Sequence, residues 1–177
     1  MVQTIESPYL SDVRTLRERA RQNIEQGAVT EGYQADRHAV LELLNTALAT
    51  EIVCALRYKR HYFLATGLHA EAAAKEFLEH ANQETEHADR LAARIVQLGG
   101  EPDFNPGTLV ARSHAEYTDS TDLKQMVREN LVAERIAVDS YSEMVRFIGV
   151  SDPTTRRMLE DILAVEEEHA DDLAGML

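Results

Sequence analysis

Two short segments of the sequence each carry a glutamate and a histidine three residues apart: Glu84 with His87, and Glu166 with His169. Residues at this spacing share one face of an α-helix, so each pair can present a carboxylate oxygen and an imidazole nitrogen to one metal ion. A single pair of this kind more often lies on a solvated helix face. Two matched copies, which together could hold two ions, instead predict a metal centre.

The similarity between the two halves of the chain extends to a second pair of helices. Glu51 is followed seven residues later by Tyr58, and Glu134 is followed at the same distance by Tyr141. Glu51 precedes Glu134 by 83 residues, and Glu84 precedes its counterpart in the second half by 82. Each half would then be an αα-hairpin, and two hairpins packed together make a four-helix bundle.

Helix start and stop signals place these hairpins along the chain. Glycines end the predicted helices, and Asp152 with Pro153 begins the last one. No strand pattern is present. We expect an N-terminal extension over 1–35 and a single bundle domain over 36–177. The predicted helices are a short one at 12–26 and four bundle helices at 36–65, 70–98, 121–149 and 151–177.

The predicted turns put the four glutamates at one height. Glu51 lies 16 residues before Gly67 and Glu84 lies 17 after it, so both sit roughly 25 Å from that turn at about 1.5 Å per residue. In the second hairpin, Glu134 and Glu166 lie 16 residues on either side of Val150. Four carboxylates and two imidazoles should therefore meet near mid-height in the bundle core, as helix-bundle carboxylate sites require.

The segment 99–120 is too long for an ordinary connection between two helices. We expect it to cross over along the height of the bundle, with a short helix at 108–114. The height of the ligands does not decide whether the third bundle helix runs up or down.

Composition limits the classes of function. The chain has 177 residues, 44% of them apolar, which suits one domain with one core, and its net charge of −13 disfavours direct binding to nucleic acid or anionic membrane and favours cations. The single cysteine, Cys54, fits a reducing compartment. No apolar run approaches membrane-spanning length and Met1 to Leu10 lacks a signal-peptide pattern, so we expect a cytoplasmic protein without a membrane partner.

The types of the six residues indicate the metal. Carboxylate oxygens and imidazole together suit iron, with manganese as the other candidate, whereas thiolate-only or histidine-only sets indicate zinc or copper. Carboxylates buried without partners would be costly, and bound ions would compensate them. Two adjacent Fe(II) ions can each give one electron to one molecule of oxygen or peroxide, which is ferroxidase chemistry.

The full residue set resembles the di-iron centre of the ferritin-like superfamily, especially bacterioferritin, and the resemblance covers 36–177. It implies that each metal takes one terminal glutamate and one histidine, that Glu84 and Glu166 bridge the two metals, and that Tyr58 corresponds to a tyrosine able to supply an electron during oxygen reduction. The six implied ligands are Glu51, Glu84 and His87 for one metal, and Glu134, Glu166 and His169 for the other.

The function implied by this resemblance is oxidation of Fe(II) with oxygen or hydrogen peroxide and sequestration of Fe(III) in a homo-oligomeric cage. A di-iron or di-manganese oxidase or peroxidase without mineral storage is the alternative, and a non-enzymatic bundle with structural metals is a third class.

Two departures from bacterioferritin bear on cofactors and assembly. Bacterioferritin has a haem-ligating methionine directly after the bridging glutamate of its second helix, and here that residue is Thr85, so we expect no haem. The fifth helix of larger ferritins has no counterpart, and an N-terminal segment is added. We therefore expect a dodecamer of the Dps (mini-ferritin) kind rather than a 24-mer, although typical Dps proteins build their iron site between subunits.

The residues next to the six candidate ligands carry expectations of their own. We interpret Cys54 as an ordinary core residue and Tyr141 as a packing residue, whereas His80 is equally consistent with a contact behind the ligands and with an exposed position. Glu86 and Glu168 lie two residues from the bridging glutamates and should face away from the centre.

The first predicted helix carries a narrow apolar stripe that should dock on another surface. It also carries a basic stripe, which shares the helix with Glu18 and Glu25. We expect a subunit contact rather than direct DNA binding from this helix, because the chain as a whole is acidic. The apolar stripe is Val13, Leu16, Ala20 and Ile24, and the basic stripe is Arg14, Arg17 and Arg21.

Overall fold

A computed structural model describes residues 11–67 and 70–177, and across these ranges the regular structure is helical with no strand. It confirms the predicted four-helix bundle with a short extra N-terminal helix. The sequence expectation about Met1 to Leu10 lies outside the described residues. The helices are α1 (Val13–Arg19), α2 (Arg37–Leu64), α3 (Ala70–Gln97), α4 (Leu109–Arg112), α5 (Leu123–Ile148) and α6 (Pro153–Gly175), with a 3-10 turn at Ile24–Gln26.

Aspartate side chains cap the helices that carry the bundle. Asp36 accepts hydrogen bonds from two backbone N–H groups at the start of α2, Asp122 caps α5, and Asp152 caps α6 directly before Pro153. Each such cap stabilises its helix by about 1 kcal/mol. Gly149 ends α5 with a φ of 54°, a conformation that favours glycine.

The crossover between α3 and α5 follows α2 from near its start to near its end. The Asn45 side chain accepts a hydrogen bond from the backbone of Asp103, and the Arg60 guanidinium donates to the carbonyls of Asp119 and Ser120. The predicted short helix is present within the crossover as α4. Since α5 begins beside the end of α2, the two helices run antiparallel, which settles the direction that the ligand heights left open.

The apolar core lies in two main clusters on either side of a polar layer. The larger cluster includes Leu44, Leu48, Leu91 and Ile95, and the smaller one, toward the other end of the bundle, is built around a second group of buried side chains. Each large side chain so buried contributes about 1.5–3 kcal/mol. The second group includes Tyr58, Phe77, Met126 and Leu173.

The N-terminal segment differs from the prediction. The first helix ends at Arg19 rather than Gln26. Beyond it, Asn23 adopts a left-handed conformation with a φ of 48°, and a separate 3-10 turn follows. This break divides the predicted apolar stripe, and its members Val13, Leu16 and Ile24 are exposed. These side chains are therefore not covered by the described part of this chain, and their docking at a subunit contact stays a prediction.

Helix α2 also corrects the expectation about apolar runs. By length and composition it could cross a membrane, since its most apolar 18-residue window has a mean hydropathy of 1.6. A central bundle helix has the same composition because several of its faces are covered, and 56% of this window is buried. The helix also holds Glu51, Arg57 and His61 buried against its neighbours, so its composition is weak support for a membrane span.

Candidate metal centre

The six predicted ligand residues meet in the polar layer of the bundle. One glutamate comes from α2 and one from α5, and a glutamate and a histidine come from each of α3 and α6. No member is more than 3% exposed. The six are Glu51, Glu84, His87, Glu134, Glu166 and His169.

One half of the centre surrounds His87. Its Nδ1 lies 2.8 Å from Oε1 of Glu166, 3.4 Å from Oε2 of Glu51 and 3.9 Å from Oε2 of Glu84. One nitrogen and three carboxylates thus face a common point, with every pair of offered ligand atoms within 4.8 Å.

The other half surrounds His169 in the same way. Its Nδ1 lies 3.5 Å from Oε1 of Glu84, 3.8 Å from Oε2 of Glu134 and 3.7 Å from Oε2 of Glu166. The two halves therefore share Glu84 and Glu166, each of which turns one oxygen toward each histidine. Shared carboxylates between two ligand sets are the arrangement expected for two adjacent cations.

Most polar atoms that face these two points lack a hydrogen-bond partner. Buried polar atoms are normally hydrogen-bonded, and unpartnered ones are costly. Four ionised carboxylates would carry a charge of −4, which two divalent cations would neutralise. The donor set therefore fits a pair of divalent cations. The unpartnered atoms are Oε2 of Glu51, Oε1 of Glu84, both carboxylate oxygens of Glu166, and Nδ1 of His87 and of His169; Nδ1 of His87 lies 2.8 Å from Oε1 of Glu166, an ion-pair contact without hydrogen-bond geometry.

Without cations, the pocket would balance its charge by holding protons. Burial raises the pKa of Glu84 well above its usual range, and the neighbouring carboxylates, Glu166 first, raise it further. Burial likewise raises the pKa of Glu166 to about 7, with Glu51 adding to the shift. At neutral pH, cation binding must displace protons from these shared carboxylates.

The two histidines also hold protons in this setting. Burial lowers the pKa of His87, but contacts with the carboxylates of Glu166 and Glu51 outweigh it and raise the pKa to about 9. The pKa of His169 rises to about 10 for the same reason, through Glu134 and Glu166. Deprotonation at Nδ1 gives each imidazole the lone pair that a metal needs.

Two buried tyrosines hydrogen-bond to Glu134 and Glu51, the two terminal glutamates, which are not shared between the halves. Each bond joins one hairpin to the other. The Tyr58 hydroxyl donates to Oε1 of Glu134, and the Tyr141 hydroxyl donates to Oε1 of Glu51. Burial raises the pKa of both phenols well above their usual range, so both remain donors. Tyr141, which we expected to pack in the core, does so and also contacts the centre as Tyr58 does.

Two residues behind His169 complete the surroundings of the centre. His80 is 1% exposed, its ring stacks on the His169 ring with centroids 3.9 Å apart, and its Nδ1 lies 3.2 Å from the Tyr58 hydroxyl. The structure thus places His80 behind the ligands rather than at the surface. Gln83 Oε1 lies 2.9 Å from Nε2 of His169, which turns Nδ1 of that ring toward the carboxylates. Nothing in the sequence pattern distinguished Gln83 from an ordinary helix residue.

The remaining neighbours agree with their sequence interpretation. Cys54 packs with Ala115 and Ala133 in a small apolar cluster, and burial raises the pKa of its thiol well above the usual value. Glu86 and Glu168 are exposed and face away from the centre.

An antiparallel helix bundle with a buried set of glutamates and histidines at mid-height defines the class of helix-bundle carboxylate proteins. The protein-family model of the ferritin-like domain matches residues 41–177, so the chain belongs to the ferritin family. This confirms the resemblance drawn from the ligand residues.

The relatives include proteins of both kinds that the sequence resembled, Dps and bacterioferritin. The "DNA protection during starvation protein" of Pyrococcus furiosus is 33% identical over 138 residues, which cover 76% of this chain and 74% of that protein. The bacterioferritin of Brucella melitensis is 28% identical over 139 residues, covering 78% of this chain and 82% of that protein.

Solved structures agree with these relatives. A structure described as a dodecameric thioferritin, the bacterioferritin-related protein of Bacteroides fragilis, superposes with a TM-score of 0.77 at 30% identity, covering 80% of this chain and 86% of that one. Dps from Thermosynechococcus elongatus superposes with a TM-score of 0.76 at 20% identity, covering 78% and 90%, which shows a shared fold.

Proposed function

We propose that this protein is a ferroxidase that binds two iron ions at a centre built by one chain, oxidises Fe(II) with oxygen or hydrogen peroxide, and sequesters Fe(III) in a homo-oligomeric cage. The observation that carries this proposal is the pair of overlapping ligand sets that share Glu84 and Glu166. One chain supplies every member of both sets.

The pairing of the two sets suits the electron count of the reaction. Two Fe(II) ions with one hydrogen peroxide and two protons give two Fe(III) ions and two water molecules, and with one oxygen and two protons they give two Fe(III) ions and hydrogen peroxide. The carboxylates tolerate both oxidation states of iron, and the same donors would accept manganese. A di-iron or di-manganese oxidase or peroxidase without mineral storage is therefore the second candidate.

The chain's own residues position the ligands and bind protons. Tyr58 and Tyr141 each hold one oxygen of a terminal glutamate and leave the other facing the centre. We assign the electron-supplying role to Tyr58, whose hydroxyl lies between Glu134 and His80.

The proposed assembly is a dodecamer, because the structural neighbour at 30% identity is described as dodecameric. Haem is not part of the proposal, since the Thr85 hydroxyl donates to the carbonyl of Ala81 on its own helix. Direct DNA binding is not part of it either, because the chain carries a net charge of −13. A cytoplasmic location is part of the proposal, which the single cysteine, Cys54, fits.

Replacement of a terminal glutamate tests the site. Glu51→Ala and Glu134→Ala should each slow rapid Fe(II) oxidation at least about tenfold, the scale of loss for weakened metal sites, without loss of helix content. Stopped-flow absorbance and circular dichroism measure the two quantities. Glu86→Ala, on an exposed part of α3, is the control and should oxidise Fe(II) like the wild type. Wild-type oxidation by Glu134→Ala would overturn the assignment.

Iron retention separates storage from the second candidate. The metal-free protein is loaded anaerobically with excess Fe(II), given oxygen or peroxide, and passed through gel filtration with particle mass measured in parallel. Retention far above two irons per chain in a large particle supports a storage cage, whereas retention that stops at two supports a two-metal enzyme. A melting temperature that does not change when the metals are removed would reject a purely structural role for them.

A further inference from the structure

A second polar cluster lies beside the centre, where α3 and α6 meet the surface. It consists of Glu76, one helical turn before His80 on α3, His80 itself, and Asp172, one turn after His169 on α6. We propose that Glu76, His80 and Asp172 bind a third divalent cation and pass cations to the half of the centre formed by Glu134 and His169.

The spacing of the three side chains suits one ion. Nε2 of His80 lies 3.9 Å from Oε2 of Glu76 and 3.9 Å from Oδ2 of Asp172. These separations are too long for hydrogen bonds. Bonds of about 2.1 Å from one ion to nitrogen and oxygen allow its ligand atoms to lie up to about 4.2 Å apart. Both distances from His80 therefore suit ligands around a shared cation, and all three residues offer ligand atoms within 4.8 Å of one another.

The hydrogen bonds of Tyr58 set the tautomer of His80. The Tyr58 hydroxyl gives its one proton to Glu134, so the phenol oxygen faces Nδ1 of His80 as an acceptor. Nδ1 then carries the ring proton, and Nε2 presents its lone pair to the two carboxylates. A lone pair that faces two anionic groups is unfavourable by itself and becomes favourable with a divalent cation between them.

The cluster joins the surface to the centre. The side chain of Asp172 is 59% exposed and that of Glu76 is 29% exposed, whereas His80 is buried. Behind them, His80, Glu134 and His169 also offer ligand atoms within 4.8 Å of one another. His80 thus belongs to an outer and an inner set of ligands, and a cation can move between the sets without leaving polar contacts.

The positions related to this cluster by the internal repeat, two on α6 and one on α3, hold no equivalent of it. Ile162 occupies the position of His80 and is buried in the larger apolar cluster, and Met158 occupies the position of Glu76. Arg90 stands in place of Asp172 and pairs with Asp161. The duplicated helix pattern therefore does not account for the three polar residues of this cluster.

Binding of a third cation depends only on these residues, and its transfer to the centre rests on the proposed function. The double variant Glu76→Gln/Asp172→Asn removes both charges and keeps His80. The matched control Glu79→Gln/Asp171→Asn removes two exposed charges from the same two helices. All three full-length proteins are freed of metal and titrated with Zn²⁺ by calorimetry.

We expect three cations per chain for the wild type and the control, and two for the Glu76→Gln/Asp172→Asn variant. If the centre itself fails to bind, the counts become one, one and none, which rejects the proposed function and supports the third site. Equal counts in all three proteins would overturn the third site and leave the cluster as a set of surface charges around a packing histidine.

The transfer role has a kinetic test. At Fe(II) concentrations below saturation, the Glu76→Gln/Asp172→Asn variant should oxidise Fe(II) about tenfold more slowly than the control, the scale expected for a weakened metal site, and the two should converge at saturating Fe(II). Equal rates at low Fe(II) would overturn transfer through this cluster.

Discussion

The hairpins α2–α3 and α5–α6 supply equivalent candidate ligands, but the side chains around these candidates differ. His169 stacks on His80 and its Nε2 contacts Gln83, whereas the positions equivalent to these two contacts are Ile162 and Val165 in the second hairpin. Ile162 is fully buried in the same apolar cluster as Tyr141. One half of the centre therefore has polar neighbours that reach the surface, whereas the equivalent positions for the other half hold apolar side chains.

This difference separates two requirements on a two-metal site. Both halves must present one imidazole and shared carboxylates, because each cation needs the same types of donor. The residues behind the ligands control solvent access and ligand orientation instead, and these can diverge between the halves. Under the proposed function, we expect cations to exchange more readily in the half around His169 than in the half around His87.

The largest effect should come from loss of a shared carboxylate. Glu84→Ala removes one oxygen from each half, so it should weaken both cation sites by about 10- to 100-fold or more, whereas Glu51→Ala should weaken only the half around His87. Equilibrium dialysis with Zn²⁺ measures the number of tightly bound cations. Equal loss in the two variants would mean that Glu84 is not shared.

Stability of the metal-free protein should depend on pH through the two histidines. Their pKa values in the fold, about 9 for His87 and about 10 for His169, exceed the ordinary value of 6.5, so the folded state binds more protons between these limits. This stabilisation is complete below pH 6.5 and is lost as pH rises through 9 to 10, with a change in unfolding free energy of several kcal/mol, since each pKa unit corresponds to about 1.4 kcal/mol.

Urea unfolding between pH 6 and pH 10 measures this loss, and the Zn²⁺-loaded protein is the control, since bound cations replace the protons. A metal-free protein whose stability does not fall over this interval would contradict the geometry found around the two imidazoles.

A smaller effect should distinguish the two tyrosines. Tyr58→Phe and Tyr141→Phe each remove one hydrogen bond to a terminal glutamate, which is worth about 1.5–3 kcal/mol for a charged acceptor. Both variants should retain two cations, but Tyr58→Phe should slow Fe(II) oxidation more because Tyr58 also contacts His80. Stopped-flow kinetics at matched cation occupancy makes the comparison, and equal slowing would show that the two halves use their tyrosines alike.

The smallest effect should follow Cys54→Ala, which makes the position match Ala137 in the second hairpin. Cys54 packs only in a small cluster, so we expect a loss of about 1 kcal/mol and unchanged cation binding. Denaturant unfolding and Zn²⁺ dialysis measure the two quantities. Loss of a cation site would show that the thiol acts at the centre.

The fold and the meeting of the six candidate ligands could be predicted because they depend on regular features. The repeated Glu-x-x-His spacing and the equal distances of Glu51 and Glu84 from Gly67 follow from helix geometry, and the glycine and aspartate boundary signals are local. The spacing of these residues along the sequence therefore indicated a buried cluster that spans four helices.

Other features depend on contacts between distant residues and were missed or left open. The burial of His80 requires α6 to lie beside α3, and the contact of Gln83 with His169 joins the same two helices. The early end of α1 and the left-handed conformation of Asn23 beyond it are not revealed by a stripe of apolar residues. The apolar composition of α2 could be interpreted as that of a core helix only once the structure showed how much of the helix is buried in the bundle.

Crystals of the full-length protein loaded anaerobically with Fe(II), with anomalous diffraction at the iron edge, test the two-ion centre most directly. The shared-carboxylate geometry predicts two iron peaks in every chain, one between His87, Glu51 and the shared glutamates, and one between His169, Glu134 and the same two glutamates. A single peak, or iron bound only between neighbouring subunits, would contradict a two-ion centre built by one chain.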